Sequence, residues 1–353
     1  MKRVIVGLSG GVDSAAAAYL MKLSGCEVIG VTLKTWVAAD GRDSRCCEID
    51  DARAIASRLD IPYYAVNCTA EFTRCVTKPF VSEYLYGRTP NPCIVCNPLI
   101  KWTKLLEVAD NLNADCIVTG HYAEVVKLES GRFTLAQAEH LEKDQTYMLY
   151  RLSQQQLSRT FMPLSKLSKP EVRRLAESAG IPVANKPDSQ EICFIPDNDH
   201  IGYIEENADC ELPPEGDFVD TEGNVLGRHK GIYRYTIGQR KGLGISLGER
   251  AFVREIDPEN DRVVLGSNQS LFTSEVYCDE LAFMGIPPLA EGEKLECMAK
   301  IRYQHKPQKA LAEMADGRLR ITFEQPVRAA TPGQSAVLYD DERRILCGGF
   351  ITR

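Results

Sequence analysis

Two groups of residues in this chain have types and spacing that could do chemistry. The first is Ser9-Gly10-Gly11-Val12-Asp13-Ser14, which follows an apolar run at 3–8 and precedes an alanine-rich, helix-forming stretch at 15–21. A strand, a glycine turn and a helix in this order aim backbone N–H groups and the positive end of the helix dipole at one point. Two adjacent glycines also let a ligand approach the backbone without meeting a Cβ atom. The segment therefore predicts an anion-binding site.

The second group consists of thiols. Cys93 and Cys96 lie in the segment 89–97, Thr-Pro-Asn-Pro-Cys-Ile-Val-Cys-Asn, which we expect to be a rigid loop that ends where a helix begins at Leu99. A thiolate near a helix N-terminus is stabilised by the dipole, which favours nucleophilic or metal-binding use. Cys193, in the segment 186–194, is the other candidate. A structural zinc site is an alternative, but one Cys-x-x-Cys supplies only part of the four ligands that zinc usually needs.

The glycine turn does not match the common phosphate loop. That loop is written G-x-x-x-x-G-K-[ST], and no Gly-Lys dipeptide occurs in this chain. Residues 7–11 also fit the G-x-S-x-G elbow of hydrolases, but that elbow needs an oxyanion-hole loop from an earlier strand, and the chain before Gly7 is too short to supply one. A turn that merely packs a helix on a strand is the structural alternative.

Residues 9–14 instead resemble the pyrophosphate loop of the ATP pyrophosphatases, which adenylate a carbonyl oxygen or a carboxylate and release pyrophosphate. The resemblance implies that ATP and Mg²⁺ bind here and that Asp13 takes part in catalysis. The residues implied for ATP binding lie in the turn and at the ends of neighbouring strands: Gly7, Leu8, Ser9, Gly10, Gly11, Val12, Asp13, Ser14, Leu33 and Gly120.

Strand and helix patterns alternate through the first half of the chain. They predict strands at 3–8, 28–33, 63–66 and 116–120, and helices at 50–59, 99–112 and 168–177, the last opened by the capping box Ser168-Lys169-Pro170-Glu171. This alternation predicts an α/β fold with a doubly wound parallel sheet, of the adenine nucleotide alpha hydrolase type that the pyrophosphate loop implies. Ligands bind such sheets at the carboxyl ends of the strands, where Gly7, Leu33 and Gly120 lie.

The pattern changes from about Gly216. Hairpin signals at 257–260, 316–317 and 340–341 separate runs that are typical of β-strands. We predict three domains: residues 1–209 form the ATP-binding catalytic domain, 210–270 a central β-rich domain, and 271–353 a C-terminal β-barrel. The segment 209–217, which contains Pro213-Pro214, is the predicted linker.

The composition argues against several classes of protein. The 13 cysteines are an odd number spread over 353 residues, so reduced thiols are favoured over a disulfide scaffold. The formal net charge of −7 argues against a nonspecific nucleic-acid binder, so a nucleic-acid partner would need a local basic patch. No apolar run reaches about 18 residues and no signal peptide precedes the first strand, which predicts a cytoplasmic protein with no membrane partner.

Motifs along the whole chain resemble those of the bacterial tRNA-specific 2-thiouridylases. That family installs sulfur at C2 of the wobble uridine in tRNAs for lysine, glutamate and glutamine. The resemblance implies that ATP adenylates O2 of the uridine and that sulfur then displaces AMP. The matching motifs are the pyrophosphate loop, the segment 89–97, Thr119-Gly120-His121-Tyr122, Lys143-Asp144-Gln145, and the segments 188–194, 235–243 and 301–303.

The resemblance also implies roles for the site residues. Cys193 would carry a persulfide received from a cysteine desulfurase or a sulfur-relay protein, and Cys96 would form a disulfide with Cys193 when sulfur is released. Basic side chains around the aromatic Tyr303 suit phosphate contact and base stacking, although charges on an edge strand are the alternative. The contacts implied with tRNA are Asn91, Pro92 and Cys93 at the target base, and His121, Lys143, Asp144, Gln145, Arg302, Tyr303 and Gln334 elsewhere.

One position departs from the family pattern, because many members have aspartate where this chain has Cys93. The thiolates of Cys93, Cys96 and Cys193 would suit an iron–sulfur cluster whose open iron binds incoming sulfide. This hypothesis stays open beside the persulfide. Two further alternatives are an amide-forming ligase, which would share the pyrophosphate loop alone, and a non-catalytic RNA-binding or iron–sulfur carrier protein.

Overall fold

The computed structural model describes residues 1–36, 48–184, 186, 192–195, 198–245 and 250–352. Among these residues we find no helix with the length and apolar character that crossing a bilayer would require.

A parallel sheet forms the centre of the first half. Its strands stand in the order β3-β2-β1-β4-β7 and all pair in parallel, whereas β5 and β6 form a separate antiparallel hairpin. The strands of this half are β1 (Arg3–Gly7), β2 (Glu27–Lys34), β3 (Tyr63–Asn67), β4 (Cys116–Val118), β5 (Ala123–Lys127), β6 (Phe133–Gln137) and β7 (Thr160–Phe161).

Helices cover both faces of this sheet, as the alternating sequence pattern predicted. Successive side chains of a strand point to opposite faces, and in β1 Val4 and Val6 pack in one apolar cluster whereas Ile5 packs in another. Both faces must therefore be buried. The helices are α1 (Val12–Leu23), α2 (Ile49–Arg58), α3 (Thr69–Phe72), α4 (Lys78–Leu85), α5 (Pro92–Cys96), α6 (Thr103–Asn111), α7 (Gln154–Ser158), α8 (Lys169–Ser178) and α9 (His200–Asn207).

The expectation of a loop at 89–97 is wrong, because helix α5 already begins at Pro92. The Asn91 side chain accepts a hydrogen bond of 3.1 Å from the Cys93 backbone N–H, and proline suits the first helical position because its missing N–H would have had no intrahelical partner there. A π-helical segment, Asn97–Trp102, contains Pro98 and continues into α6. Cys93 and Cys96 therefore lie on a helix.

The second half is built of β-strands, as predicted. A four-stranded sheet in the order β10-β11-β8-β9 comes first, and a closed barrel in the order β12-β15-β14-β13-β16-β17 follows. The strands are β8 (Gly216–Val219), β9 (Val225–His229), β10 (Phe252–Asp257), β11 (Arg262–Gly266), β12 (Phe272–Phe283), β13 (Lys294–Lys300), β14 (Gln308–Ala315), β15 (Arg318–Arg328), β16 (Ser335–Tyr339) and β17 (Ile345–Ile351).

The barrel and the sheet domain share one apolar core. Tyr147 and Tyr150 of the first half are fully buried together with Tyr339 of the barrel. The Tyr147 hydroxyl donates to the Ser335 carbonyl at 2.9 Å, and the Tyr150 hydroxyl lies 3.0 Å from the Ser335 hydroxyl. Because these polar groups are paired inside a buried interface, the two parts hold a fixed relative geometry.

Candidate active site between the sheet and the barrel

A cavity of about 1500 Å³ lies at the carboxyl ends of β1 and β2 and extends to the barrel. Its wall includes the glycine turn, the first residues of α5, Cys193, and the barrel residues 303–307. Every site residue predicted from the sequence lines it except Gly10 and Arg302. The fold therefore brings together a phosphate-binding turn, three thiols and a basic segment that are far apart in the sequence.

The glycine turn is held by its own hydroxyls. Gly10 has a φ of +81°, and a Cβ atom there would lie 2.9 Å from the Glu48 Cβ, so both backbone conformation and space require glycine. The Ser14 hydroxyl accepts from the Ser9 backbone N–H at 3.2 Å and donates to the Gly11 carbonyl at 2.9 Å. The turn thus keeps its shape immediately before α1, where a helix N-terminus attracts anions.

The backbone of β4 comes very close to this turn at Gly120. A Cβ atom at Gly120 would lie 2.6 Å from the Asp13 carbonyl carbon and 2.7 Å from the Ser14 nitrogen. The missing side chain therefore allows the β4 end to pack directly on the first turn of α1.

Asp13 accepts hydrogen bonds from two distant residues. The Lys169 ammonium lies 2.8 Å from each carboxylate oxygen, and the Tyr122 hydroxyl donates to Oδ1 at 2.7 Å. The side chain of Lys169 is 11% exposed and that of Asp13 is 33% exposed. In the sequence, Lys169 was recognised only as part of a capping box. The signal for its role was the absence of a lysine in the glycine turn, which left the positive charge beside Asp13 to another element.

A second lysine was also missed. Lys186 lines the cavity and pairs with Glu48 and, at 2.6 Å, with Asp51. Glu48 lies against Gly10, so this charged cluster adjoins the glycine turn.

The three candidate thiols all line the cavity but differ in burial. Cys96 is buried, whereas Cys93 and Cys193 are partly exposed. Within the described residues, no three Cys, His, Asp or Glu side chains lie close enough together to hold a metal ion. An iron–sulfur cluster, whose ligands stand further apart than those of a single ion, stays a hypothesis beside the persulfide.

His121 is only partly exposed and lies at the cavity wall rather than on a charged surface. Its Nδ1 lies 3.0 Å from the Thr119 hydroxyl, and its ring packs on Trp102 with 5.3 Å between centroids. Burial lowers the pKa of His121 to about 3. The ring is therefore neutral near pH 7 and offers shape and hydrogen bonding rather than charge.

Asp144 is also buried, at 3% exposure. Its carboxylate accepts from the Thr146 hydroxyl at 2.8 Å and from the Gln137 amide at 3.1 Å, and burial raises its pKa. Gln145 in turn accepts from the Tyr122 backbone N–H at 3.0 Å. These bonds fix the loop that carries Lys143 at the cavity wall.

The barrel contributes a cation between aromatic rings. The ammonium of Lys300, which is buried at 7% exposure, lies 5.4 Å from the Tyr303 ring centroid and 5.7 Å from that of Tyr147. Burial lowers the pKa of Lys300, and Asp144 opposes this shift. Close by, the Gln334 amide donates to the Thr89 carbonyl at 2.7 Å, which joins the barrel to the segment that precedes α5.

Comparison with curated proteins decides the family. The tRNA-specific 2-thiouridylase MnmA of Lachnoclostridium phytofermentans is 50% identical to this chain. The matched region covers 99% of each of the two chains. The chain belongs to the tRNA-specific 2-thiouridylase family. Family members of the same name from Clostridium perfringens (47% identical, covering 99% of this chain and 98% of the relative) and Acetivibrio thermocellus (46% identical, 99% of each) match it over a similar length.

Three domain families match consecutive parts of this 2-thiouridylase. They are described as tRNA methyl transferase HUP domain (2–197), tRNA methyl transferase PRC-barrel domain (208–267) and Aminomethyltransferase beta-barrel domain (273–351). Their order is that of the parallel sheet, the small sheet and the barrel, so the predicted fold class is confirmed. Among solved structures, the U34-tRNA thiolase NcsA from Methanococcus maripaludis has a TM-score of 0.36 and 20% identity over 58% of this chain and 62% of its own, too low a likeness to carry an argument.

Proposed function

We propose that this protein is an ATP-dependent tRNA-uridine 2-sulfurtransferase, a transferase that modifies the wobble uridine of tRNAs for lysine, glutamate and glutamine. One observation carries the proposal: the glycine turn and the thiols of Cys96 and Cys193 line the same cavity. An ATP-binding ligase without sulfur chemistry would not need two thiols beside its nucleotide. Membership of the 2-thiouridylase family supports the same conclusion.

The first step is adenylation. The uridine O2 attacks the α-phosphate of ATP, the bond to the β-phosphate breaks, and pyrophosphate leaves. The turn at 9–14 binds the phosphates through backbone N–H groups and the α1 dipole, with Gly7, Leu33 and Gly120 around the nucleotide. Asp13 is the catalytic carboxylate, which would hold Mg²⁺; the ion would neutralise charge on the phosphates.

The second step is sulfur transfer. A cysteine desulfurase or a relay protein first leaves a persulfide on Cys193. The terminal sulfur of this persulfide attacks C2 of the uridine and AMP departs. The thiolate of Cys96 then attacks the Sγ of Cys193, which breaks the bond between Sγ and the transferred sulfur, forms a Cys96–Cys193 disulfide and leaves the sulfur on C2. A thiol reductant then returns both cysteines to thiols, which balances the electrons. Cys96 is the last residue of helix α5 and is buried at the cavity wall.

The remaining predicted residues hold the RNA. Asn91, Pro92 and Cys93 face the target base. Arg302 contacts the phosphate backbone of the RNA, and the ring of Tyr303 stacks on a base. His121, Lys143, Asp144, Gln145 and Gln334 complete the wall around the nucleotide. We further propose that 1–209, 210–270 and 271–353 are the three domains, that the barrel is the main tRNA-binding domain, and that the protein works in the cytoplasm, where its substrate is made.

Variants of the thiols test the sulfur chemistry. We expect Cys96→Ser and Cys193→Ser each to abolish formation of 2-thiouridine in a reaction with ATP, tRNA and a persulfide donor, while tRNA affinity stays near that of the wild type. Cys210→Ser is the matched control, because Cys210 is exposed and lies away from the cavity wall. Substantial 2-thiouridine from either of the first two variants would mean that other thiols carry the sulfur.

Anaerobic purification separates the persulfide from a cluster. Full activity of iron-free protein supplied with a persulfide donor supports the route above, and Cys93→Asp should then remain active without iron. Brown protein whose iron and activity are both lost in Cys93→Ala would instead establish a cluster held by Cys93, Cys96 and Cys193, and would overturn the persulfide route.

A further inference from the structure

Helix α8 delivers a lysine to the pyrophosphate loop. Lys169 is the first residue of α8, and the capping box fixes this helix end, because Glu171 accepts from the Ser168 backbone N–H at 2.8 Å. From this position the ammonium reaches both oxygens of Asp13, which lies 156 residues earlier in the chain. The contact therefore depends on the tertiary fold and not on local sequence.

We propose that Lys169 is a positioning residue for Asp13 and supplies the positive charge that the pyrophosphate loop itself lacks. The inference rests on the proposed ATP-dependent function. Asp13 lines the cavity, whereas Lys169 is not among the described residues of its wall, so the ammonium acts on a bound nucleotide through the carboxylate.

Charge balance makes this partner necessary. The Asp13 carboxylate, in the first turn of α1, lies where a triphosphate would bind. A carboxylate and a phosphate that are close together in a partly buried site repel each other strongly. The side chain of Lys169 is 11% exposed, so solvent screens this ion pair less than a surface pair. The positive charge of Lys169 offsets this repulsion.

Geometry adds a directional effect. A carboxylate offers about four lone-pair positions. Lys169 takes one on each oxygen, and the Tyr122 hydroxyl takes another on Oδ1. About one position is left, on Oδ2, so Asp13 presents a single acceptor to the cavity.

The test measures ATP affinity by equilibrium dialysis without tRNA. We expect Lys169→Met, which removes the charge and keeps the length, to weaken ATP binding by about tenfold or more, as for loss of a charged hydrogen-bond partner. Lys169→Arg keeps the charge and should recover part of the affinity. Lys166→Met is the matched control, because Lys166 is 70% exposed and pairs with Glu124 at 3.7 Å on the surface.

A double-mutant cycle separates positioning from a merely structural effect. In the Asp13→Asn background, Lys169→Met should change ATP affinity by less than about twofold, because the carboxylate on which it acts is gone. An effect as large as in the wild-type background would overturn the inference, and so would unchanged affinity of Lys169→Met. If Lys169→Met does not fold, Tyr122→Phe takes its place in the cycle. Failure of the wild-type protein to bind ATP would instead refute the proposed function.

Discussion

Substituting alanine for Gly120 should disable the nucleotide site with a modest loss of stability. The new Cβ atom would lie 2.6, 2.7 and 2.9 Å from backbone atoms of Asp13 and Ser14. Backbone cannot rotate away as a side chain can, so either β4 or the first turn of α1 must move by about 0.8 Å to restore an ordinary contact. Overpacking of this kind costs about 1 to 3 kcal/mol.

The same displacement should have a larger effect on catalysis than on folding. A misplacement of about 1 Å can reduce a rate about a hundredfold, and Asp13 is among the displaced residues. The assays are ATP-dependent release of pyrophosphate in the presence of tRNA, and chemical denaturation. Gly120→Ala should lose most of its activity while its free energy of unfolding falls by about 1 to 3 kcal/mol.

Gly227→Ala is the matched control. Gly227 lies in β9, outside the cavity wall, and its new Cβ would meet the Ile245 side chain at 3.0 Å, which can rotate. We expect Gly227→Ala to keep most of the activity. Equal activity of Gly120→Ala and the wild type would refute the claim that close backbone packing at β4 sets the position of Asp13.

Two further predictions concern RNA binding and acid stability. Affinity for tRNA should fall steeply as the salt concentration rises. Arg302→Ala should make the slope of log association constant against log salt concentration shallower by about 0.7 to 1. Arg262→Ala, at an exposed position of β11, should leave the slope unchanged. The pKa of His121 is lowered to about 3 from its ordinary 6.5, so as the pH falls the unfolded chain is protonated at this residue before the folded one. The free energy of unfolding should therefore fall by about 1.4 kcal/mol per pH unit between pH 6.5 and 3. Denaturation at pH 5 and pH 7 should show a smaller pH effect in His121→Gln, and an equal effect would show that this ring is not buried neutral.

Hydrophobic periodicity and local turn chemistry were enough to predict the parallel sheet. The strand that begins at Arg3 has an apolar centre at Val4-Ile5-Val6 because both of its faces are buried there. The glycine turn after it can be recognised from the sequence because its conformation is decided locally. The capping box at Ser168 was likewise predicted and is present.

Contacts between distant segments could not be predicted in this way. No periodic pattern connects Lys169 to Asp13, or Tyr147 to Ser335 of the barrel. The start of α5 at Pro92 was missed for another reason, since Pro90 and Pro92 so close together usually mark a loop. Here Pro92 occupies the favourable first position of a helix, and a π-helical segment that contains Pro98 continues from it.

The core shared by the sheet domain and the barrel has a consequence for the RNA. The sheet domain and the barrel form opposite walls of the cavity and are joined through buried Tyr147, Tyr150 and Tyr339. These two walls can separate only if those rings become exposed to water. If the proposed function is right, the conformational change must therefore occur in the RNA, whose target nucleotide unstacks and enters the cavity. Unstacking is least costly where a base is already unpaired. A rigid pocket would thus select anticodon-loop uridines over helical ones through the mechanics of the RNA as well as through contacts with the base.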